Sequence, residues 1–287
     1  MPPVSGASPE QASALRAKRD RLADVLRECD SVCVGYSGGV DSVFLAVLAV
    51  DVLGRERVLA VTGRSAAYPD VQHQVALECV RRFGIPHLEI GTDELADPRY
   101  AANPSNRCYF CKSELWGRLR EVARANGLRT LVDGSNSEDA RDHRPGARAG
   151  RERGVRSPLQ EAGLTKPEIR ALSRQRGLPT WDRPASPCLA SRLPYGLSVT
   201  PGRLKQVERA EAVLRAEGFH EFRVRHHGDA ARLEIAPDEI ERALERADRI
   251  APAIMRLGFD RVLLDVDGYR RGALNEALPL VKLELSK

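Results

Sequence analysis

No apolar run in this chain of 287 residues approaches the roughly 20 that a membrane-crossing helix needs, so no membrane partner is expected. The opening stretch, MPPVSGASPEQASALRAKRD, contains no apolar core of a secretory signal, and the sequence is read as cytoplasmic. Cysteine is scarce. Six residues are too few for a disulfide scaffold, and in a reducing compartment they stay thiols, open to chemistry or metal. A strong charge of one sign is also missing. The net charge is +5 and the pI about 9.0, a weak lean toward anionic partners. There is no basic stripe interleaved with aromatic residues. From residue 192 onward 17 basic residues meet 16 acidic ones, a poor grip on a polyanion, so no nucleic-acid partner is expected. Internal repeats and low-complexity tracts are absent as well. One local imbalance stands out: RDHRPGARAGRERGVR, residues 141–156, carries six Arg against Asp142 and Glu152. Its Gly and Pro content predicts a loop, either simply solvated or closing over phosphates.

What is present reads first as alternation. Residues 1–12 are expected to be a disordered tail, and 10–28 to run into a helix. SVCVGYSGGVDSVFLAVLAV predicts a buried strand, a tight Gly turn and an apolar helix. Strands are expected at 57–63, 85–91 and 128–136. Helices are expected at 70–84 with Gly84 as the stop, from Cys108 to about Asn126, and at 165–177 with Thr165 as a cap. Strands alternating with helices through short connections imply an α/β fold with a parallel sheet covered on both faces. Near residue 195 the order becomes helix, strand, strand, helix, strand, with the later helix interrupted near Pro252. This predicts a second, smaller α+β domain, with boundaries at 13–190 and 191–287.

Chemistry enters at SGGVDS, residues 37–42. Gly38 and Gly39 let the backbone bend tightly and approach a ligand. Amides at a helix N-terminus, with the hydroxyls of Ser37 and Ser42, suit a phosphate or pyrophosphate. Asp41 cannot serve an anion, and is expected to hold Mg²⁺ or to position the loop. No GKS or GKT follows, so this is not a Walker A loop. After an apolar strand, SGGVDS resembles the PP-loop of ATP pyrophosphatases, which cleave ATP between the α and β phosphates and adenylate a substrate. VDGSN (132–136), with Gly134, resembles the later turn that meets the nucleotide. SPLQEAGLTKPEIRALSR (157–174) resembles the segment whose lysine, here Lys166, faces pyrophosphate.

The cysteines divide into two sets. Cys29, Cys33 and Cys79 fall in apolar patterns and read as small core residues. Cys108 and Cys111 form one CxxC pair, and Cys188 lies in ASPCLASRLPYG beside Arg192, an environment that favours a reactive thiolate. Three readings stay open from the residues alone. Zinc would need a distant His, because there is no second close pair. A redox pair would ordinarily follow a strand. Three thiolates without a fourth fit a cubane iron–sulfur cluster with one open iron.

NPSNRCYFCK, DGSNSEDARDHRPG, GVRSPLQEAGLTKPEIR, PASPCLASRLPYG, RVRHHGDAARLEI and GYRRGALNE occur in that order. Together they resemble the LarE family of ATP-dependent sulfur transferases, over roughly residues 15–278. The resemblance implies a homo-hexamer and a small nucleotide substrate, pyridinium-3,5-biscarboxylate mononucleotide. Each carboxylate would be adenylated and converted to a thiocarboxylate on the way to a nickel-pincer cofactor. It implies ATP and Mg²⁺. Cys108, Cys111 and Cys188 together match the family's [4Fe-4S] type, whereas members with only the Cys188 equivalent sacrifice that sulfur. It also implies Arg192 and Ser191 close to the reacting carboxylate, Arg223 and Arg225 on the substrate phosphate, and Glu211 and Glu234 orienting them. Asp265, Asp267, Tyr269 and Arg270 are expected to line the site or a subunit interface. His226 and His227 are expected at the surface. The main competing reading is a PP-loop tRNA thiolase. An ammonia-using ligase would leave the three cysteines idle, and a nucleotide sensor would bind ATP without turnover.

Overall fold

The computed structural model describes residues 9–139, 145–184, 186–270 and 280–282. Residues 1–8 of the expected tail lie outside them, and the first helix, α1, begins at Pro9 and ends at Glu28. VCVG forms β1 (Val32–Gly35), a strand whose first three residues are all buried, as suits the middle of a parallel sheet. The remaining elements of this part are α2 (Val40–Leu53), β2 (Val58–Arg64), α3 (Asp70–Phe83) and β3 (His87–Gly91).

After the short helix α4 (Pro98–Ala101) come α5 (Arg107–Ala125), β4 (Thr130–Val132), α6 (Pro145–Glu152), α7 (Pro158–Glu161) and α8 (Lys166–Arg176). The four strands are parallel in the order β3-β2-β1-β4, with Val34 opposite both Ala60 and Val132. Leu22, Leu26, Phe44, Leu45 and Leu172 pack one face of the sheet. Cys33, Val61, Trp116, Leu119 and Leu131 pack the other, so both faces are covered as expected. Connections from β1 leave in opposite directions, toward β2 and eventually toward β4. The crevice beyond the carboxyl ends of β1 and β4 is therefore a topological switch point, where ligands bind in open α/β sheets.

The chain divides into two compact units, residues 1–94 with 106–186 and residues 95–105 with 187–287. The second unit holds α4, α9 (Pro201–Ala216), β5 (Phe222–His227), β6 (Ala230–Ile235), α10 (Ile240–Glu245), α11 (Ala247–Met255), β7 (Arg261–Asp265) and β8 (Leu280–Lys282). Its sheet runs β5-β6-β7-β8, with only β6 and β7 parallel. One face packs Val224, Leu233, Val262 and Leu264 against Leu214 and Ile254. The excursion 95–105 joins this unit through Asn103, whose buried side-chain amide donates to the carbonyls of Pro194 and Leu197, both at 2.8 Å. Val199 N–H donates to Ala101 C=O at 2.8 Å.

Two expectations are corrected. The Arg-rich stretch is not all loop: residues 140–144 lie outside the described residues, and Pro145–Glu152 is helical, with Pro145 at the first position where it costs no hydrogen bond. The late helix breaks at Arg246 rather than at Pro252, which sits inside α11. Capping follows expectation in α8, where Thr165 and Glu168 form a capping box, and in α3, which ends on left-handed Gly84.

Candidate functional site

At the switch point the chain after β1 turns through Ser37, Gly38 and Gly39 into α2. Gly38 has φ +70, and a Cβ there would lie 2.7 Å from Ala76 Cβ, so both conformation and space require glycine. From α3 and the loop before it, Gln72 Nε2 (3.1 Å) and Tyr68 Oη (3.0 Å) donate to Ser37 C=O and fix the turn. Ser42 Oγ accepts from Ser37 N–H at 3.2 Å and donates to Gly39 C=O at 3.1 Å. Gly39 caps α2 without any side-chain bond to the first-turn amides. Those amides therefore point their partial positive charge toward an incoming anion.

Gly134 follows β4, and a Cβ there would come within 3.0 Å of Ser42 N, so this second glycine turn lies against the head of α2. Its shape is held by Asp133, which accepts from Ser135 N–H (3.0 Å), Ser135 Oγ (3.0 Å) and Ser157 Oγ (2.8 Å). Lys166, at the start of α8, forms an ion pair with Asp41 Oδ2. Burial pushes the Asp41 carboxyl above the usual aspartate range, opposed by the Lys166 charge. Asp41 Oδ1 is buried and has no hydrogen-bond partner. An orphaned carboxylate oxygen beside a phosphate cradle fits Mg²⁺, a hard cation bound by one or two carboxylates plus phosphate oxygens. Ser37, Gly38, Gly39, Asp41, Ser42, Gly134 and Lys166 are thus brought together within the first unit.

Cys108 and Cys111 stand on the first turn of α5. Cys108 is exposed and Cys111 half-buried, and their spacing places them on one helical face. Helix α6 packs closely here: a Cβ on Gly146 would meet Lys112 Cγ at 3.1 Å and Cys108 O at 3.5 Å. Tyr109 donates to Glu152 at 2.6 Å, and the Arg148 guanidinium covers its ring at 4.3 Å. Among the described residues no three of His, Cys, Asp and Glu are grouped to hold a metal. The pair belongs to the first unit and Cys188, half-buried, to the second. By donor chemistry two accessible thiols on one helical turn fit two corners of an iron–sulfur cluster. Cys29, Cys33 and Cys79 are core residues as expected. Burial raises all three thiols, that of Cys33 to about 12 and that of Cys79 to about 11.

In the second unit Cys188 caps a short 3₁₀ turn, Leu189–Arg192. Ser191 Oγ donates to Cys188 C=O at 2.7 Å. Arg192 donates to Pro187 C=O (2.7 Å) and Cys188 C=O (3.2 Å), and its Nε reaches Glu211 at 2.8 Å. Arg192 is 2% exposed, so this ion pair is fully inside the unit. Arg225 donates from Nη1 to Ser191 C=O at 2.7 Å and from Nε to both oxygens of Glu234 at 3.0 Å. Arg223, on the same sheet face, lies 5.0 Å from the Tyr269 ring centroid. Burial and the neighbouring Arg192 charge lower its pKa. Ser191, Arg192, Glu211, Arg225 and Glu234 are therefore linked into one polar network that also fixes the backbone of Cys188, with the Arg223 charge interacting with Arg192 and Glu211.

Asp265 is fully buried at the end of β7; Arg270 pairs with Asp267 at 3.6 Å. Sequence reasoning missed Arg232, which shares Glu234, and Asp133. Their signals were the alternation in ARLEI and the carboxylate just before the second glycine turn. The expectation for His226 is corrected: it is buried against Phe259 and bonded to Gln206 at 3.1 Å, because it alternates with Arg225 onto the apolar face.

The parallel sheet with its glycine-turned phosphate cradle is that of a PP-loop ATP pyrophosphatase domain, and the NAD synthase family matches residues 15–140. Over nearly its whole length the chain is similar to the pyridinium-3,5-bisthiocarboxylic acid mononucleotide synthase of Lactiplantibacillus plantarum, with 36% identity covering 94% of this chain and 98% of that one. It therefore belongs to the LarE family. An uncharacterized protein of Synechocystis sp. is 42% identical over 92% of this chain and 99% of its own. One of Methanocaldococcus jannaschii is 24% identical over 83% and 90%.

Proposed function

We propose that this protein is an ATP-dependent sulfur transferase that adenylates the carboxylates of pyridinium-3,5-biscarboxylate mononucleotide and converts them to thiocarboxylates. The observation that carries the reading is the Asp41–Lys166 pair closed over the glycine cradle at the head of α2. A cation beside helix amides suits a departing pyrophosphate, and the name of the synthase relative supports the substrate class. A carboxylate has no good leaving group. Attack of its oxygen on the α phosphorus forms the acyl-adenylate and breaks the α–β bridge. Negative charge then builds on pyrophosphate, facing the loop amides, Lys166 and the Mg²⁺ that Asp41 would hold.

Arg223 and Arg225 would take the phosphate of the mononucleotide, a dianion suited to guanidinium forks. Arg192 and Ser191 hold the turn that carries Cys188. In the sacrificial route the Cys188 thiolate attacks the acyl carbon and AMP leaves with the bonding pair. Loss of the Cys188 α-proton then breaks the Cβ–S bond, leaving thiocarboxylate and dehydroalanine. Cys108, Cys111 and Cys188 would instead hold a [4Fe-4S] cluster, which when bound would supply the sulfur without loss from the chain.

Anaerobic reconstitution with counting of iron and sulfide, followed by intact mass after turnover with ATP and substrate, tests both routes. Bound iron with an unchanged chain mass is expected. A protein without iron whose Cys188 loses the mass of H₂S would reject the cluster route, and absence of any thiocarboxylate product would reject the function.

A further inference from the structure

Among the described residues, the polar face of the second sheet also carries Arg232 and Asp265, to which the proposed reaction gives no role. The register of β5 and β6 sets Arg225 directly opposite Arg232, and Arg223 opposite Glu234. Two arginines facing each other across strands repel. Here Glu234, with no exposed surface, is shared between them: Arg225 Nη2 lies 2.9 Å from one of its oxygens, and Arg232 Nη2 bonds the other. Behind Arg232, Asp265 places its Oδ2 3.8 Å from Arg232 Nε, and neither atom has a hydrogen-bond partner. Arg192, Arg223, Arg225 and Arg232 thus meet Glu211, Glu234 and Asp265 on buried elements of one unit.

Resting on the reading that Arg223 and Arg225 take the substrate phosphate, we infer that Arg232 and Asp265 are positioning residues that set the charge of this anion site. Arg232 draws on Glu234, so that carboxylate does not fully neutralise Arg225, and Arg225 keeps charge for the incoming phosphate. Asp265 holds Arg232 in place and limits the excess to one positive charge. The assembly is poised: cationic enough to bind a dianion, and balanced enough to be buried.

The sign of the effect separates this role from ordinary packing. Arg232→Met and Asp265→Asn each strand a buried partner, and both variants should melt below the native protein. Their affinities for the anion should diverge. Titration calorimetry with pyridinium-3,5-biscarboxylate mononucleotide, without ATP, should show weakening of about tenfold or more in Arg232→Met, since one buried positive charge is gone. Asp265→Asn should bind as tightly as the native protein or more tightly. Arg232→Lys, which keeps the charge, should stay within about threefold of native affinity and is the variant to use if the Met form does not fold. Affinity falling in both Arg232→Met and Asp265→Asn, in step with melting temperature, would reduce the pair to a structural role and overturn the inference. So would native-like binding in Arg232→Met, or an equal loss in Lys and Met. Arg225→Met is the control. If it binds like the native protein, the phosphate reading itself fails and takes the inference with it. If it loses binding while Arg232→Met does not, only the inference fails.

Discussion

Replacing Gly38 with alanine would strain the phosphate cradle in two ways. At φ +70 an L-residue pays about 1–2 kcal/mol for the left-handed conformation. Its Cβ would also sit 2.7 Å from Ala76 Cβ and 3.0 Å from Ala76 Cα, and the latter is backbone of α3 that cannot swing aside. Overpacking of this kind costs about 1–3 kcal/mol. The sum, roughly 2–5 kcal/mol, can appear in either of two places. If the loop stays put, the first unit loses stability, about 2–4 °C of melting temperature per kcal/mol for a domain of that size. If the loop moves to relieve the clash, the amides at the head of α2 leave their aim and ATP binding weakens instead. Thermal denaturation and ATP titration on the same preparation capture both. Gly39→Ala is the control. Gly39 has φ −74, and its Cβ would meet only Ser37 Oγ at 3.5 Å, an ordinary contact, so that variant should melt within about 1 kcal/mol of native. A Gly38→Ala protein with native melting temperature and native ATP affinity would refute the geometry described for the loop.

Lys166→Met should lower pyrophosphate release by roughly 10²–10³-fold, as loss of one aimed charge does. It should cost only about 1–2 kcal/mol of stability, because the Lys166 and Asp41 side chains keep 28% and 20% of their exposure and water relieves the stranded carboxylate. Native rates of pyrophosphate release would remove Lys166 from the reaction. His226 gives a prediction in pH. Burial lowers its pKa from 6.5 to about 4, so the unfolded chain takes up the proton first. Stability from the neutral buried ring is complete above about pH 6.5 and is lost as pH falls toward about 4. Urea midpoints measured across that window should decline less steeply in His226→Gln than in the native protein; parallel slopes would show that His226 is not the group responsible.

Much of the phosphate cradle was legible in the chain, because its parts are local. A buried strand, two glycines and a helix head are determined by residues within one short window, and SGGVDS states them outright. Thr165 likewise declares a helix cap, and Gly84 declares a helix end. The apolar placement of Cys29, Cys33 and Cys79 follows from periodicity in the same way. What depends on residues far apart in sequence was not legible from pattern. The resemblance turned Lys166 toward pyrophosphate, but its contact with Asp41, 125 positions away, was not foreseen and exists only because α8 packs on α2. Nothing in residues 95–105 says that Asn103 will anchor them to the second unit. His226 looked like a surface residue because two histidines beside two arginines read as polar, whereas a strand sends alternate side chains to opposite faces and this one faced the core. Arg232 was overlooked for the complementary reason: an arginine between Ala231 and Leu233 signals burial only once the register puts it across from Arg225, with one carboxylate to share. Local conformation is written in neighbouring residues. The pairing of charges is decided by packing, since only folding brings distant groups into a medium where each must find its counterion.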